Sequence, residues 1–424
     1  MEVGVIGSGY VGTTVAACFA DLGHSVTAID IDQDVVDRLN DGASSLYEPG
    51  LDERIERTIG RALRATTDYG AIRGADIVFI AVPTPTQPDG RIDASAVHAA
   101  VSEAVTTLEG TDPDDRPVLV IKSTITPPEV TAVRKAVTEW TGEVAMNPEF
   151  QREGSAVSDF LTPDKLVFGV ESADAADLLR DVYAPIIAES DPTIIETDPE
   201  TASMIKYANN AFLAAKISLV NDLGNICKTF GIDAYEVADA IGSDHRISAE
   251  FLRSGVGFGG SCFPKDVSAL IAAARAASYE PTMLEATMDL NERQPIRLLS
   301  LLERHLDPAG KRIAILGLAF KPETDDVRNS RAIPVIETLL ESGATVVGYD
   351  PVASQNMHEL FPSIEYAEAA EAALTNADAA LVLTDWPEFG ELTEEFDVMA
   401  RKLVIDGRRI ITPQDDMTYE GLTW

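Results

Sequence analysis

The sequence predicts an α/β protein in which two Rossmann-like parallel-sheet domains are joined by a central all-helical domain with a long connecting helix. Apolar strand-like runs alternate with helix-like stretches through the first half of the 424 residues, and the same rhythm returns from Lys311 onward. Between them runs a proline-free amphipathic stretch from Glu200 to Gly231, ETASMIKYANNAFLAAKISLVNDLGNICKTFG. Continuous apolar strands separated by helices indicate parallel sheets covered on both faces. The chain is long enough for two or three domains, each with its own core.

In the first half, VGVIG at 3–7 reads as a strand and Val11 to Leu22 as a helix. SVTAID at 25–30, ADIVFIAVP at 75–83, PVLVIKST at 117–124 and KLVFGV at 165–170 follow as strands. In the middle, apolar positions at helical spacing run to Gly231, which suits a helix end. A second helix is expected from Ala234 to Ile241, a glycine-rich loop at 255–261, and further helix from Asp266 to Ala277. KRIAILGLAF, a helix around 332–342, ATVVGYDP, ADAALVLTDW and KLVIDGRR then repeat the strand–helix rhythm. The expected domains are 1–198, 199–295 and 296–424, with an oligomer interface in the helical middle. The acidic DPDD at 112–115 reads as a solvated loop.

Composition narrows the class. Hydrophobic residues make up 45% of the chain, as in a well-packed globular protein. No run reaches the roughly 18 apolar residues of a membrane-spanning helix. The chain opens directly into strand-like Glu2 to Ile6 with no secretory pattern, so a soluble cytoplasmic protein is expected. Cys18, Cys227 and Cys262 are too few and scattered for a disulfide framework or a zinc site, so no metal is expected. Cys18 and Cys227 sit in helix-like contexts that suit small buried hydrophobes. The net charge is −37, with 70 acidic residues against 33 basic, of which 10 are Lys and 23 Arg. Such a surface repels nucleic acid and anionic membranes. Its self-repulsion is tolerable where screening acts over about 3 Å, as near 1 M salt, so the composition points to a halophile; an ordinary acidic enzyme is the alternative.

Gly7-Ser8-Gly9-Tyr10-Val11-Gly12 matches GxGxxG, a weak pattern alone. Here it follows a strand, opens a helix and precedes Asp30 at the end of the next strand, which is the full dinucleotide-binding context. The glycines allow a tight turn and close approach of a pyrophosphate to the helix N-terminus. Asp30, with Asp32 beside it, suits ribose hydroxyls and repels a 2′-phosphate, so NAD is preferred over NADP. Thr84 and Thr124 end strands of the same sheet, where ligands of open α/β sheets lie. Glu149 and Glu153 stand four apart, and on a helix they would share a face; a solvated charge cluster is the plainer reading. Lys206 and Asn210 are also four apart on the long helix. The lysine could simply snorkel to solvent, yet an ammonium and an amide there could stabilise an oxyanion. Most specific is Gly257-Phe258-Gly259-Gly260-Ser261-Cys262-Phe263-Pro264-Lys265-Asp266. Its glycines would expose backbone N–H groups to phosphates. Its cysteine lies where a loop meets a helix beginning near Pro264, and a helix N-terminus with a nearby lysine favours thiolate. Asp266 follows four residues later and could hold a water or a lysine.

These motifs, with VPTP, KST, NPEF–REG, K–NN and AFKPETDDVRNS in the same order, resemble the UDP-glucose/GDP-mannose dehydrogenase family over nearly the whole chain. The form REGSAVSDFLTPDKLVFG looks more like the family's UDP-glucose branch, while Gln151 departs from its usual leucine. The resemblance implies NAD-dependent four-electron oxidation of a UDP-sugar, UDP-glucose to UDP-glucuronate, for polysaccharide or glycan biosynthesis. Another UDP-sugar or GDP-mannose is the nearest alternative, and a two-electron hydroxyacid dehydrogenase a remote one. It also implies the roles. Cys262 is the nucleophile, Lys206 and Asn210 hold the oxyanion, Asp266 with Thr124 positions a water, and Glu149 is the base for thioester hydrolysis. Gly7, Gly9, Tyr10, Val11, Gly12, Asp30, Thr84, Thr124, Glu153, Lys265 and Arg328 look like cofactor positions. Glu149, Phe150, Lys206, Asn210, Phe258, Gly259, Lys321 and Arg408 look like substrate positions. Arg246 resembles an arginine supplied by a neighbouring subunit, so a homodimer or larger homo-oligomer through the central helices is implied.

The charge balance alone generates a first expectation. Raising KCl from about 0.1 M towards molar concentration shortens the Debye length from about 10 Å to about 3 Å, so melting temperature and catalytic rate should both rise across a KCl series. Full stability and rate at low salt, with no gain on adding more, would overturn the halophile reading.

Overall fold

In the computed structural model, residues 1–44, 46–112 and 116–424 are described. Of the acidic stretch expected as a solvated loop, 113–115 lie outside them. The chain forms two compact units. One comprises Met1–Asn209 and Ser268–Ala277, the other Asn210–Val267 and Ser278–Trp424. Two helices, Pro199–Phe230 and Phe263–Ala276, begin in one unit and end in the other.

The apolar runs of the first half become the inner strands of an eight-stranded sheet. Its strands are β1 (Glu2–Ile6), β2 (Ser25–Ile29), β3 (Leu63–Thr66), β4 (Ile77–Ile80), β5 (Val118–Ile121), β6 (Val144–Met146), β7 (Lys165–Gly169) and β8 (Thr193–Thr197), in the order β3-β2-β1-β4-β5-β6-β7-β8. The first six follow the Rossmann order. Every residue of β4 is buried, as a strand covered on both faces requires. Helix Tyr10–Asp21 covers one face with Val15, Cys18 and Phe19, and burial pushes the Cys18 thiol up to about 12. The sheet is not wholly parallel: β7 runs antiparallel to β6, with Met146 opposite Gly169. β3, β6 and β8 carry no clear sequence signal, because β6 has only three residues and the outer strands β3 and β8 are partly exposed.

Gly169 brings the long helix onto this sheet. A Cβ there would lie 2.6 Å from the Ala202 Cβ and 2.8 Å from the Pro199 Cα. The Ser203 hydroxyl donates to the Ile125 carbonyl at 2.6 Å, tying the helix to the loop after β5. The first turns that carry Lys206 are therefore locked against the carboxyl edge.

The second unit repeats the pattern. Its six strands are β9 (Arg312–Leu316), β10 (Thr345–Tyr349), β11 (Glu365–Tyr366), β12 (Ala379–Val382), β13 (Leu403–Asp406) and β14 (Thr418–Gly421), ordered β11-β10-β9-β12-β13-β14 with all pairs parallel. The two-residue β11 and the edge strand β14 are again too short or too exposed to read from sequence. Helices Ala234–Gly242 and Thr282–Glu303 join the rest of the long helix beside this sheet in sequence. The helix expected from Asp266 begins earlier, at Phe263, because the Cys262 carbonyl already accepts the Asp266 N–H at 2.8 Å. No helix among the described residues is long and apolar enough to cross a membrane.

Candidate active site

The glycine turn after β1 shows three different reasons for glycine. Gly7 has φ +93°, and a Cβ there would sit 2.6 Å from the Ala81 carbonyl oxygen. At Gly12 a Cβ would lie 1.8 Å from the Gly7 carbonyl oxygen. Gly9 differs: nothing lies within 4 Å of its Cβ position, and it opens helix Tyr10–Asp21 with no side-chain cap. The turn is rigid behind and open in front, over a helix N-terminus, which suits a pyrophosphate. Asp30 sits beside it, accepting the Ser8 N–H at 2.6 Å and the Asp32 N–H at 3.0 Å. Asp32 is the N-cap of helix Gln33–Asn40, accepting from the Asp34 N–H at 2.9 Å. Capping gives that carboxylate a structural task the sequence pattern did not disclose.

At the carboxyl edge of the same sheet, Thr84 and Thr124 lie half-buried in the loops after β4 and β5. Glu149 and Lys206 are both buried and form an ion pair of 3.0 Å. The other Glu149 oxygen accepts the Gln151 N–H at 2.6 Å. Phe150 lies beneath two ammonium groups, Lys165 at 4.2 Å and Lys206 at 5.5 Å from its ring centroid. Lys165 also donates to Asn209 at 3.0 Å, and desolvation lowers its pKa. The spacing of Glu149 and Glu153 suggested a shared helix face, but residues 147–152 are not helical and the next helix begins only at Ala156. Pro148 and the contacts of Asn147 hold this stretch open as a loop. Tyr10 reaches across it: its hydroxyl bonds to the buried carboxylate of Glu48, and the Gly154 N–H donates to both, at 2.9 and 2.8 Å. The helix that opens at Tyr10 is thereby pinned to the turn carrying Glu153.

In the second unit, Asn210 and Asp266 are buried and bonded at 2.7 Å, amide to carboxylate. The other Asp266 oxygen accepts from Lys265 at 2.8 Å. Cys262 is half-buried directly before helix Phe263–Ala276, with the Ser261 hydroxyl 3.7 Å from its sulfur. The glycines before it are closely packed. Gly257 (φ +102°) abuts Asn291, Gly259 the Asn329 carbonyl, and Gly260 the Phe320 ring, each within 3 Å of a Cβ position. Asn291 holds Phe258 by both its N–H and its carbonyl, at 2.8 and 3.0 Å.

The remaining positions are dispersed within this unit. Lys321 lies 5.8 Å from the Phe320 ring centroid in the loop after β9. Arg328 is exposed and forked onto Asp326 at 2.8–3.0 Å. Arg408 is half-buried and donates to the Leu383 carbonyl at 2.8 Å. Arg246 is exposed and paired with Asp244 at 2.6 Å. Asp350 follows β10 as Asp30 follows β2, yet it is buried and accepts from Leu318, Ala319, Val352, Ala353 and the Trp386 indole, all within 3.1 Å. Its lone pairs are consumed inside the protein, so the open dinucleotide-type turn is the first one, at Gly9. Sequence reading missed Glu48, Lys122, Asn147, Lys165 and Asn291. Of these Lys122, Asn147 and Lys165 lay inside motifs already singled out.

The comparisons with known proteins agree along the whole chain. The UDP-glucose/GDP-mannose dehydrogenase family matches in its NAD binding domain at residues 1–187, its central domain at 200–293 and its UDP binding domain at 314–413. UDP-glucose 6-dehydrogenase AglM of Haloferax volcanii is 54% identical, with all of both chains covered. UDP-glucose 6-dehydrogenase TuaD of Bacillus subtilis is 39% identical over 98% of this chain and 90% of its own. A solved UDP-glucose dehydrogenase from the hyperthermophilic archaeon Pyrobaculum islandicum superposes with a TM-score of 0.92 at 38% identity, covering 100% of this chain and 98% of its own. The fold and its glycine turn define a nicotinamide-dependent oxidoreductase that uses NAD. The chain belongs to the UDP-glucose/GDP-mannose dehydrogenase family.

Gly9 and Gly12 should separate on mutation. Gly12→Ala forces a Cβ into a backbone oxygen and should destabilise the fold by about 2 kcal/mol or more. Gly9→Ala should leave the melting temperature nearly unchanged while weakening NAD binding roughly tenfold or more, because it fills the approach to the turn. Melting curves and NAD titration by fluorescence check both, and equal effects on both properties would contradict the assignment.

Proposed function

We propose that this enzyme is a UDP-glucose 6-dehydrogenase that oxidises the C6 alcohol to a carboxylate through a covalent intermediate on Cys262. The observation that carries this reading is a half-buried thiol at the start of a 14-residue helix, one turn ahead of a hydrogen-bonded Lys265–Asp266–Asn210 chain whose carboxylate and amide are buried. A two-electron alcohol dehydrogenase has no use for such a thiol. UDP as the nucleotide is supported by the match of residues 314–413 to a UDP binding domain, and glucose by the UDP-glucose 6-dehydrogenases to which the chain is similar.

Gly7, Gly9 and Gly12 with Asp30 form the seat for NAD, and Thr84, Glu153, Lys265 and Arg328 are the further contacts proposed. NAD supplies the hydride acceptor, two molecules being reduced per sugar. The protein's own groups do the rest. The Cys262 sulfur adds to the C6 aldehyde, and the oxyanion of the resulting thiohemiacetal is held by Lys206 and Asn210. Collapse of that oxyanion expels the second hydride and leaves a thioester. Asp266 and Thr124 position the water that attacks it, and Glu149 takes that water's proton. Carboxylate and free thiol are the products. Phe150, Phe258, Gly259, Lys321, Arg246 and Arg408 are the proposed substrate contacts.

UDP-glucose should yield two NADH per molecule, with NADP a poor substitute. Cys262→Ser should lower turnover by at least about 10³-fold, since the alkoxide ester is a poorer acyl donor. Cys18→Ala and Cys227→Ala should leave turnover largely intact. One NADH per sugar with free aldehyde as product would sink the thioester mechanism, and a spectrophotometric count with product mass decides it.

We also propose a homodimer built on the long helix. Phe212, Leu219, Leu223, Ile226 and Phe230 are all exposed and fall on one stripe of helix Pro199–Phe230, an apolar face that a soluble monomer rarely presents. Leu223→Glu combined with Phe230→Glu should convert the protein to monomers in sedimentation experiments. An unchanged sedimentation coefficient would remove the helix from the interface.

A further inference from the structure

Only two of the ten lysines are buried among the described residues, Lys122 and Lys206. Lys206 has a carboxylate partner in Glu149. Lys122, directly after β5, has neutral ones: it donates to the Asn147 side-chain oxygen at 2.9 Å, and its ammonium lies 3.2 Å from the Tyr183 hydroxyl. Tyr183 itself donates to the same Asn147 oxygen at 2.7 Å. The Asn147 amide donates to the Val167 carbonyl at 2.9 Å, and its backbone N–H to Ile121 at 2.9 Å. Asn147 is therefore fully engaged, and the chain leaves it through Pro148 directly into Glu149.

A buried cation without a bonded counter-ion costs stability. In a chain this poor in lysine, such a residue calls for a function. We propose that Lys122 is a positioning residue for Glu149. Its ammonium clamps Asn147, which fixes the turn that delivers Glu149, and it adds a second buried positive charge acting on that carboxylate beside Lys206. This rests on the reading of Glu149 as the base for thioester hydrolysis.

The surroundings of Lys122 support it. Asn147 and Glu149 come from the turn after β6, Lys206 from the long helix, Tyr183 from the end of helix Ala173–Val182, and Phe79 from β4, 5.9 Å from the ammonium. Among these, Glu149 attracts the charge and Lys206 opposes it. Desolvation first, then Lys206, outweighs Glu149 and pushes Lys122 down to about 8. At neutral pH it still carries most of its charge. Burial raises the Tyr183 phenol far above the ordinary range, so it remains a neutral donor.

Substitution by methionine separates this role from a structural one. Lys122→Met keeps the volume, leaves Tyr183 bonded to Asn147 and removes the unpaired charge. It should melt at the same temperature as the parent or higher. A lysine with a lowered folded pKa is a penalty fully present below about 8 and relieved as pH rises towards the ordinary lysine value of 10.5. The parent's melting temperature should therefore gain on the variant's over that range. Catalysis should move the other way: kcat falls roughly tenfold or more while KM for UDP-glucose changes less than about twofold. Acyl-enzyme on Cys262 should accumulate during turnover, seen by intact mass after acid quench, and the acid limb of the rate profile should move to higher pH. Lys122→Gln, which keeps a donor to Asn147 without the charge, repeats the pH test should the methionine variant fold poorly. Parent-like kcat and an unmoved acid limb in the folded variant would overturn the proposal. Glu149→Gln is the control. If it accumulates acyl-enzyme and Lys122→Met does not, only the role of Lys122 falls; if it accumulates none, the reading of Glu149 falls with it.

Discussion

Two buried polar side chains one turn apart on a single helix, Lys206 and Asn210, set the terms for the rest of the structure. Each meets a carboxylate, Glu149 for the lysine and Asp266 for the amide. Removing an ammonium or a carboxylate from water costs several kcal/mol unless partners are held in place. Every nearby element is accordingly fastened: the long helix to the loop after β5 through Ser203, the turn after β6 through Asn147, and the start of helix Phe263–Ala276 through the Cys262 carbonyl. The helix has no proline after its first residue, so nothing disturbs the four-residue spacing that aligns the pair.

The two Rossmann-like sheets show how one topology serves different ends. Both have the same strand order around β1 and β9, and both end their second strand close to an aspartate that accepts backbone N–H groups from the turn after the first. Asp30 stays half-exposed beside an open glycine. Asp350 is buried and accepts from the Trp386 indole. The difference lies in what packs over the turn, since the strands themselves are alike.

The charge distribution divides the same way. The protein has only ten lysines and a net charge of −37, yet lysines 122, 165, 206 and 265 all lie buried or half-buried near the proposed catalytic groups. Arginine serves at the surface, where its planar fork can bind carboxylates in two-point pairs, as Arg152 does with Asp159. Among the described residues, two of the ten lysines are buried, Lys122 and Lys206, against one of the 23 arginines, Arg331.

The sequence by itself determined the class of fold, the two sheets, the long helix, the glycine turn and the cysteine motif. Those features are written in local patterns: apolar runs, helical spacing, and glycines flanked by a strand and a helix. Hidden from it were the short and outer strands β3, β6, β8, β11 and β14, whose few residues carry no period. Tertiary structure decided that Glu149 and Glu153 share no helix face, that Asp32 caps a helix, and that Gly257, Gly259 and Gly260 make room for Asn291, Asn329 and Phe320. It also decided the partners of Lys122 and Glu48, which come from residues 25 to 109 positions away. No local pattern encodes such pairs. They exist because burial leaves a polar group only the partners that the packed fold brings within reach.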